Sequence, residues 1–224
     1  MKINIKELVI RVLILMIGLT IAHLGVTLFL LANLGADPFN VFVQGTFHTI
    51  DKFAHLSFLT HGRTHVVISV LIIIVLLFVD RSYIKIGTVL CMICGGPIID
   101  VFTNLLGFLF TDESGFVYRL IFNAAGCVIL ASGMTMVIRS EAGTGPNDLV
   151  AVVISDKLKK KFSIIRVIVD VCFIIIGFAL GGTVGVGTFV CAVLVGPVAG
   201  LVMPVSQKIV NGVLKMTGCE AKSD

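Results

Sequence analysis

Charged residues are scarce in this 224-residue chain, at 13%, and tryptophan is absent. Soluble globular domains carry about 25% charged and about 45–50% apolar residues. Here the hydrophobic fraction is 57% and the mean hydropathy is +1.10. This composition argues against a soluble enzyme or a nucleic-acid-binding protein, and it is too apolar for a disordered chain. We therefore expect a single membrane domain over residues 1–224, with the lipid bilayer as a partner and no nucleic acid.

Several motifs of known chemistry are also missing. The chain has no Gly-x-x-x-x-Gly-Lys-Ser/Thr, no His-Glu-x-x-His and no Gly-x-Ser-x-Gly. Cys91 and Cys94 form a Cys-x-x-Cys inside an apolar run, which favours packing over redox chemistry. The spacing of four histidines, His48, His55, His61 and His65, matches no tight metal-ligand motif. The fifth, His23, stands alone and is interpreted as a packing residue. We expect no enzymatic activity, no cofactor and no bound metal.

What is abundant is long apolar sequence. A membrane-spanning helix needs roughly 20 mostly apolar residues, and six stretches approach this, at about 9–33, 64–80, 84–110, 116–139, 163–181 and 184–204. Two shorter stretches, at about 38–52 and 146–160, predict interfacial or re-entrant helices. Residues 207–216 predict a mildly amphipathic helix on the inner surface, and residues 211–224 predict a short cytoplasmic tail.

The cations predict the orientation of these spans. With six crossings and the N-terminus in the cytoplasm, 14 of the 17 Lys and Arg residues fall on the cytoplasmic side. Only Lys52, Arg63 and Arg119 fall outside. Because cytoplasmic loops of membrane proteins are enriched in Lys and Arg, we expect both termini to lie in the cytoplasm of a bacterial cell.

The two halves of the chain resemble each other. At an offset of 108, glycines 18, 25 and 35 match glycines 126, 133 and 143, and Pro38 matches Pro146. At an offset of 100, Gly87-Thr88 matches Gly187-Thr188 and Gly96-Pro97 matches Gly196-Pro197. Each repeat, at about 9–110 and 116–210, contains three crossings and a short helix. Since three is odd, the second repeat starts on the opposite side, as in many secondary transporters. The prediction is an all-α polytopic membrane protein of two inverted three-helix repeats.

The repeated turns are candidate substrate-binding sites. The first contains Asp37, Pro38 and Asn40, and the second contains Gly145, Pro146, Asn147 and Asp148. In each, the preceding glycine (Gly35 or Gly143) is expected to end a helix with positive φ, Pro to begin the next helix, and Asp37 to cap its N-terminus. A helix N-terminus can hold an anionic or carbonyl group. A simple corner between helices remains the alternative.

Two carboxylates inside apolar runs complete the candidate site. Asp100 follows Pro97 by three residues, and Asp170 follows Arg166 by four. A carboxylate in the middle of a bilayer costs at least ~2.5–3.5 kcal/mol, so such residues are functional candidates. The alternative for Asp170 is a structural pair with Arg166 on one helix face. Gly18 and Ala22, four residues apart, could seat a homodimer or pack within the monomer.

A family resemblance rests on the second turn and the sequence that follows it. Gly143-Thr144-Gly145-Pro146-Asn147-Asp148-Leu149, followed by Leu180-Gly181-Gly182 and then Gly187-Thr188, resembles the YczE/YyaS/YitT family of bacterial membrane proteins over about residues 10–210. The resemblance implies a membrane protein with no established substrate. Three hypotheses follow: a secondary transporter or exporter of a small solute, coupled to protons or another cation; the membrane subunit of a multi-component transporter; or a non-transporting scaffold.

Overall fold

Eight α-helices make up the regular structure in the described part of the chain, which covers residues 5–54, 58–111, 114–160 and 162–218 of a computed structural model. His55, one of the histidines considered for metal binding, lies outside the described residues. The helices are α1 (Ile5–Ala32), α2 (Pro38–Ala54), α3 (His61–Asp80), α4 (Ile86–Leu106), α5 (Phe116–Ser140), α6 (Pro146–Leu158), α7 (Phe162–Ala179) and α8 (Val186–Met216).

Every predicted apolar stretch is helical, and the fold is all-α across the described residues. Five helices (α1, α3, α4, α5 and α8) are long and apolar enough to cross a membrane. α7 is not among these five, so the sixth crossing stays a prediction. Residues 207–216 are helical as predicted, but they continue α8 without a break to Met216. Its last turns are held by Val210 and Leu214, which pack against Ile14 of α1.

The centre of the fold is an antiparallel contact between α1 and α5, made through glycines. A Cβ placed on Gly18 would lie 2.9 Å from the carbonyl oxygen of Gly133. One placed on Gly25 would lie 2.5 Å from the carbonyl oxygen of Gly126. The backbones can approach this closely only because these positions lack side chains. A Cβ on Gly133 would also meet the backbone of Ala22, so the small residues considered for a homodimer face α5 within the chain.

An arginine near the start of each central helix caps the far end of the other. Arg11 in α1 donates from Nη1 to the carbonyl oxygen of Ser140, at 3.1 Å. Arg119 in α5 donates from Nη1 to the carbonyl oxygen of Ala32, at 3.2 Å. A cation is favoured there because the last carbonyl groups of a helix lack partners and carry partial negative charge. The start of α1 and the end of α8 also meet, since Lys6 Nζ donates to the carbonyl oxygen of Thr217 at 2.7 Å.

The remaining helices pack around this pair. α4 lies against α1, and α8 lies against α5. The first residues of α4 and α8 each bind the turn of the other half of the chain. Gly187 N donates to the carbonyl oxygen of Leu34 at 2.7 Å, and Gly87 N donates to that of Ala142 at 3.0 Å.

Two outer contacts join the halves again, α2 with α7 and α3 with α6. The α2–α7 contact is close, since a Cβ on Gly177 would lie 2.6 Å from the Cα of Phe42. Thr49 Oγ1 donates to the Leu180 carbonyl at 2.6 Å, and Gln44 Oε1 accepts from Thr183 N at 2.9 Å. In the α3–α6 contact, apolar side chains fill the interface instead of glycines: Ile73, Leu76, Leu149 and Val153.

Candidate functional site

The two repeated turns follow the same path through the left-handed region. The predicted role of the turn glycines as the residues that end the helices is wrong in detail. Asn33 and Glu141, directly after α1 and α5, have φ of 51° and 57°. Gly35 and Gly143, two residues later, have φ of 110° and 156°. A side chain at Gly35 would be strained by this φ and would also meet Thr188, so the turn requires glycine there.

The first turn leads into α2 as predicted. Pro38 is the first helical residue, and Asp37 precedes it as the N-cap. The Asp37 carboxylate accepts from Asn40 N at 3.4 Å and from Asn40 Nδ2 at 2.7 Å. Asn40 Oδ1 in turn lies 3.2 Å from Nε2 of His61, at the start of α3. Asp37 and Asn40 therefore join a polar chain between α2 and α3.

The second turn leads into α6, whose N-cap is Gly145 and whose first residue is Pro146. Asn147 Nδ2 lies 3.3 Å from Asp148 Oδ1. Asp148 also forms an ion pair with Nη1 of Arg166 in α7. The predicted residues of this turn therefore lie together at the start of one helix.

Arg166 joins the second turn to Asp170. Its Nε lies 3.0 Å from Asp170 Oδ2, while Nη1 binds Asp148. The i,i+4 pair predicted as the structural alternative is therefore present. The other carboxylate oxygen of Asp170, Oδ1, is buried and has no hydrogen-bond partner among the described residues.

Asp37 from the first half lies within electrostatic range of this group. Burial raises the pKa of Asp37 above its ordinary value, while its hydrogen bonds from Asn40 lower it. The nearby charge of Asp170 raises this pKa further, and that of Arg166 lowers it. Asp37, Asp148, Arg166 and Asp170 form what we call the charged cluster.

Asp100 is held in a different set of contacts. Its Oδ2 accepts from Thr60 Oγ1 at 2.6 Å, and its Oδ1 accepts from Gly62 N at 3.0 Å. These partners stand at the N-terminus of α3, whose first amide groups lack intrahelical partners. The geometry gives Asp100 a capping role between α4 and α3. Its predicted role in substrate or ion binding stays a prediction.

A cavity of about 440 Å³ opens beside the second turn. Its walls come from the α3–α4 connection, the α5–α6 turn and α6, and include Ser82, Tyr83, Lys85, Glu141, Gly143 and Thr144. Glu141 also binds the Arg11 guanidinium at 3.4 Å, near the end of the molecule where Lys6 binds Thr217. The cavity is therefore at the end of the molecule where α1 begins and α8 ends.

Comparison with known proteins gives one family and three similar curated proteins. The profile of a family of unknown function, DUF6198, matches residues 9–204. The chain belongs to this family. It is 28% identical over 207 residues to the uncharacterized membrane protein YczE of Bacillus subtilis, covering 92% of this chain and 91% of that protein. It is 25% identical to the uncharacterized protein YyaS of the same organism over 196 residues, covering 86% and 92%.

An uncharacterized protein of Haemophilus influenzae is 26% identical over 186 residues, covering 83% of this chain and 79% of that protein. No solved structure matches the chain. The resemblance to YczE and YyaS that the sequence motifs predicted is confirmed. The chain is a membrane protein by this relationship and by its five long apolar helices.

Sequence reasoning missed two kinds of site residue. It treated Arg166 only as a partner of Asp170, whereas Arg166 also holds Asp148, 18 residues earlier. It considered His61 and His65 only as metal ligands, whereas both belong to α3, where His65 is buried. Their i,i+4 spacing before a charge-free run was the available signal. Among the described residues, no group of three or more His, Cys, Asp or Glu side chains could hold a metal ion.

Proposed function

We propose that this protein is a small secondary transporter or exporter of the bacterial cytoplasmic membrane. It moves a small solute between two inverted repeats and couples this movement to protons or another cation. In this proposal α7 is the sixth crossing, and both termini lie in the cytoplasm, in line with the distribution of Lys and Arg.

Support for the inverted repeat comes from reciprocal contacts. In a two-fold arrangement, if residue i of one half contacts residue j of the other, the equivalents of i and j also contact each other. Arg11 binds the residue equivalent to Ala32, and Arg119, the equivalent of Arg11, binds Ala32 itself. The glycine contacts of α1 with α5 follow the same rule. So do the hydrogen bonds from the starts of α4 and α8.

The charged cluster is the observation that carries the transport proposal. With α7 crossing the bilayer, Arg166 and Asp170 would lie within a lipid-surrounded helix, where charges are rare and usually functional. The cluster combines the N-terminus of α6 with α7 and with Asp37 at the N-terminus of α2. A purely structural ion pair would not need a third and a fourth charged group from the two repeated turns.

The two outer contacts differ in how they are closed. The α2–α7 contact is closed by close backbone packing and side-chain hydrogen bonds. The equivalent α3–α6 contact is bridged by Tyr83 with Asp156 at 2.8 Å and by Lys157 with Asp80 at 3.6 Å, and the 440 Å³ cavity lies beside it, next to Leu149. Such a difference suits a transporter whose two sides open in turn.

A solute screen followed by a flux measurement tests this function. Purified protein in nanodiscs is screened by thermal shift, because a true substrate stabilises the folded state. Uptake of the stabilising solute is then measured in proteoliposomes under an imposed pH gradient. Asp37→Asn and Asp170→Asn should each reduce uptake at least about tenfold, the loss of roughly 1.4 kcal/mol of coupling.

Asp51→Asn is the matched control, since Asp51 is an exposed acid on α2. Equal uptake by all three variants and the wild type would remove the cluster from transport. A stabilising solute with no uptake, together with copurification of an ATPase, would favour the subunit of a multi-component transporter.

Asp37→Asn has a second expected outcome that separates function from folding. Asn is a good N-cap, and the raised pKa of Asp37 means that its ionised form costs folding free energy at neutral pH. The melting temperature at pH 7 should therefore stay the same or rise while uptake falls. The advantage of Asn should shrink as the pH falls through the raised pKa of Asp37 and vanish below the ordinary pKa of Asp, where the wild-type carboxyl is neutral in both states.

A further inference from the structure

Two histidines from different helices meet beside a glycine of α4. The rings of His23 in α1 and His65 in α3 lie edge to face, with centroids 5.6 Å apart. A Cβ placed on Gly95 of α4 would lie 2.8 Å from His23 Nε2 and 3.0 Å from His65 Cε1. Any side chain at residue 95 would therefore enter the space beside both imidazoles.

The hydrogen bond of His23 determines which of its nitrogens can accept a proton. His23 Nδ1 lies 2.9 Å from the carbonyl oxygen of Leu19. A carbonyl only accepts, so Nδ1 carries the hydrogen in the neutral ring. Nε2 then has a free lone pair, and this is the nitrogen that faces Gly95.

His65 adds polar atoms without partners. His65 is only 6% exposed, and its Nδ1 has no hydrogen-bond partner among the described residues. Ser69, one turn further along α3 and 0% exposed, likewise leaves its Oγ unpartnered there. Buried polar atoms without partners cost about 1–3 kcal/mol each. Their retention at i,i+4 positions of α3, one of them in contact with His23, points to a ligand that binds at this place.

A hydrogen-bonded path leads from the histidines to the charged cluster. His61, one turn before His65, donates from Nε2 to Asn40 Oδ1 at 3.2 Å. Asn40 donates from Nδ2 to Asp37 at 2.7 Å. The amide of Asn40 does not conduct protons, so this path orients groups and transmits charge. Asn40 is only 4% exposed, which keeps water from screening the effect.

The groups around the pair can be named helix by helix. α1 provides His23, and α3 provides His61, one turn before His65. α2 provides Asp37 through Asn40, and α4 provides Gly95 and the neighbouring thiol of Cys94. α7 acts through Arg166 and Asp170 on Asp37. Since the neighbours of His65 are themselves histidines, a second proton on the pair would be repelled.

We propose that His23 and His65 together bind one proton, which is the coupling ion of transport. The proposal rests on the proposed function. Histidine is the side chain that ordinarily changes charge between pH about 5 and 8. A proton from hydronium adds to the lone pair of His23 Nε2, leaving water, and the resulting imidazolium lies in edge-to-face contact with the ring of His65. The proton returns to water on the opposite side of the membrane.

A metal ion is the less suitable ligand. No group of three ligating side chains is found among the described residues. The added positive charge instead acts on Asp37 through His61 and Asn40. Protonation of the pair therefore favours the ionised form of Asp37, and loss of the proton favours its neutral form. This links the proton to the charge that faces the solute.

Histidine titration followed by NMR tests the site directly. Protein labelled with 15N-histidine is placed in nanodiscs and titrated from pH 8 to 5. We expect one buried histidine signal to move from neutral to protonated, and this titration to disappear in both His23→Gln and His65→Gln. It should persist in His48→Gln, a control histidine that binds the Gly181 carbonyl instead. Buried histidines that remain neutral throughout, or a titration that survives both substitutions, would overturn the proposal.

The flux assay separates this proposal from the proposed function. With the stabilising solute, wild-type uptake should increase several-fold under an inward proton gradient, and His65→Gln should lose that increase while keeping uptake down the solute gradient. Titration without uptake in any protein would retain the proton site and reject transport. Uptake that ignores pH, with neutral histidines, would retain transport and reject the proton site. The wild-type titration answers the question even if a variant does not fold.

Discussion

The contact between α1 and α5 differs from the outer contacts in how evenly the two halves share it. Along α1 and α5, equivalent glycines and equivalent arginines make the same interactions in both directions. The α2–α7 and α3–α6 contacts occupy equivalent places, yet one is closed through glycines and the other is filled by larger side chains beside a cavity. The difference indicates a symmetric central support and an asymmetric outer layer. In a transporter, the outer layer is where we expect movement.

The largest expected effect is on the central contact. Gly25→Ala places a methyl group 2.5 Å from the Gly126 carbonyl oxygen, so α1 and α5 must separate. We expect a loss of about 1–3 kcal/mol in folding free energy, measured by thermal or denaturant unfolding in detergent. Gly200→Ala is the matched control, because its Cβ would meet nothing within 4 Å and alanine favours a helix. Equal effects of the two substitutions would contradict the close approach of the helices.

The unequal outer contacts predict unequal cross-linking. In a background without the native cysteines, Thr49→Cys with Leu180→Cys tests the α2–α7 contact. Lys157→Cys with Asp80→Cys tests the equivalent place between α6 and α3, where Lys157 Nζ lies 3.6 Å from Asp80 Oδ2. Oxidation should link the first pair several-fold faster, as followed by gel mobility after proteolysis between the cysteines. Equal rates would mean that the two contacts are equally closed.

A smaller effect is expected at Asp100. Asp100→Asn removes the negative charge at the N-terminus of α3 and keeps an acceptor oxygen for only one of its two donors, Thr60 and Gly62. We expect a loss of roughly 0.5–1 kcal/mol in stability, seen in the melting temperature, with unchanged solute uptake per folded protein. A large loss of uptake at normal stability would restore Asp100 to the transport path.

Much of the helical framework could be predicted from the sequence, because helix length and turn chemistry are local. Apolar runs predicted the helices, and the positions of Pro38 and Pro146 predicted where α2 and α6 begin. The capping role of Asp37 also followed from its position before Pro38. These rules depend on residues within one or two turns of each other.

The site was harder to predict because its partners are distant in sequence. Nothing near Asp100 indicates that it binds the start of α3, 38 and 40 residues earlier. The second interaction of Arg166, with Asp148, depends on how α6 meets α7. Asn33 and Glu141 adopt left-handed conformations although Gly35 and Gly143 stand nearby, because each turn needs two such residues. Only the folded chain shows these choices.

The hydrogen bonds from the starts of α4 and α8 also have a consequence for biosynthesis. When only α1 to α4 have been inserted into the membrane, the carbonyl oxygen of Leu34 lacks its donor from α8. The surface of α1 around Gly25 likewise lacks its partner, α5. An insertion intermediate therefore carries an uncovered backbone acceptor and an unpaired glycine face until the second half arrives. We expect products truncated before α5 to be short-lived in the cell, because the uncovered surface of α1 leaves them accessible to membrane proteases.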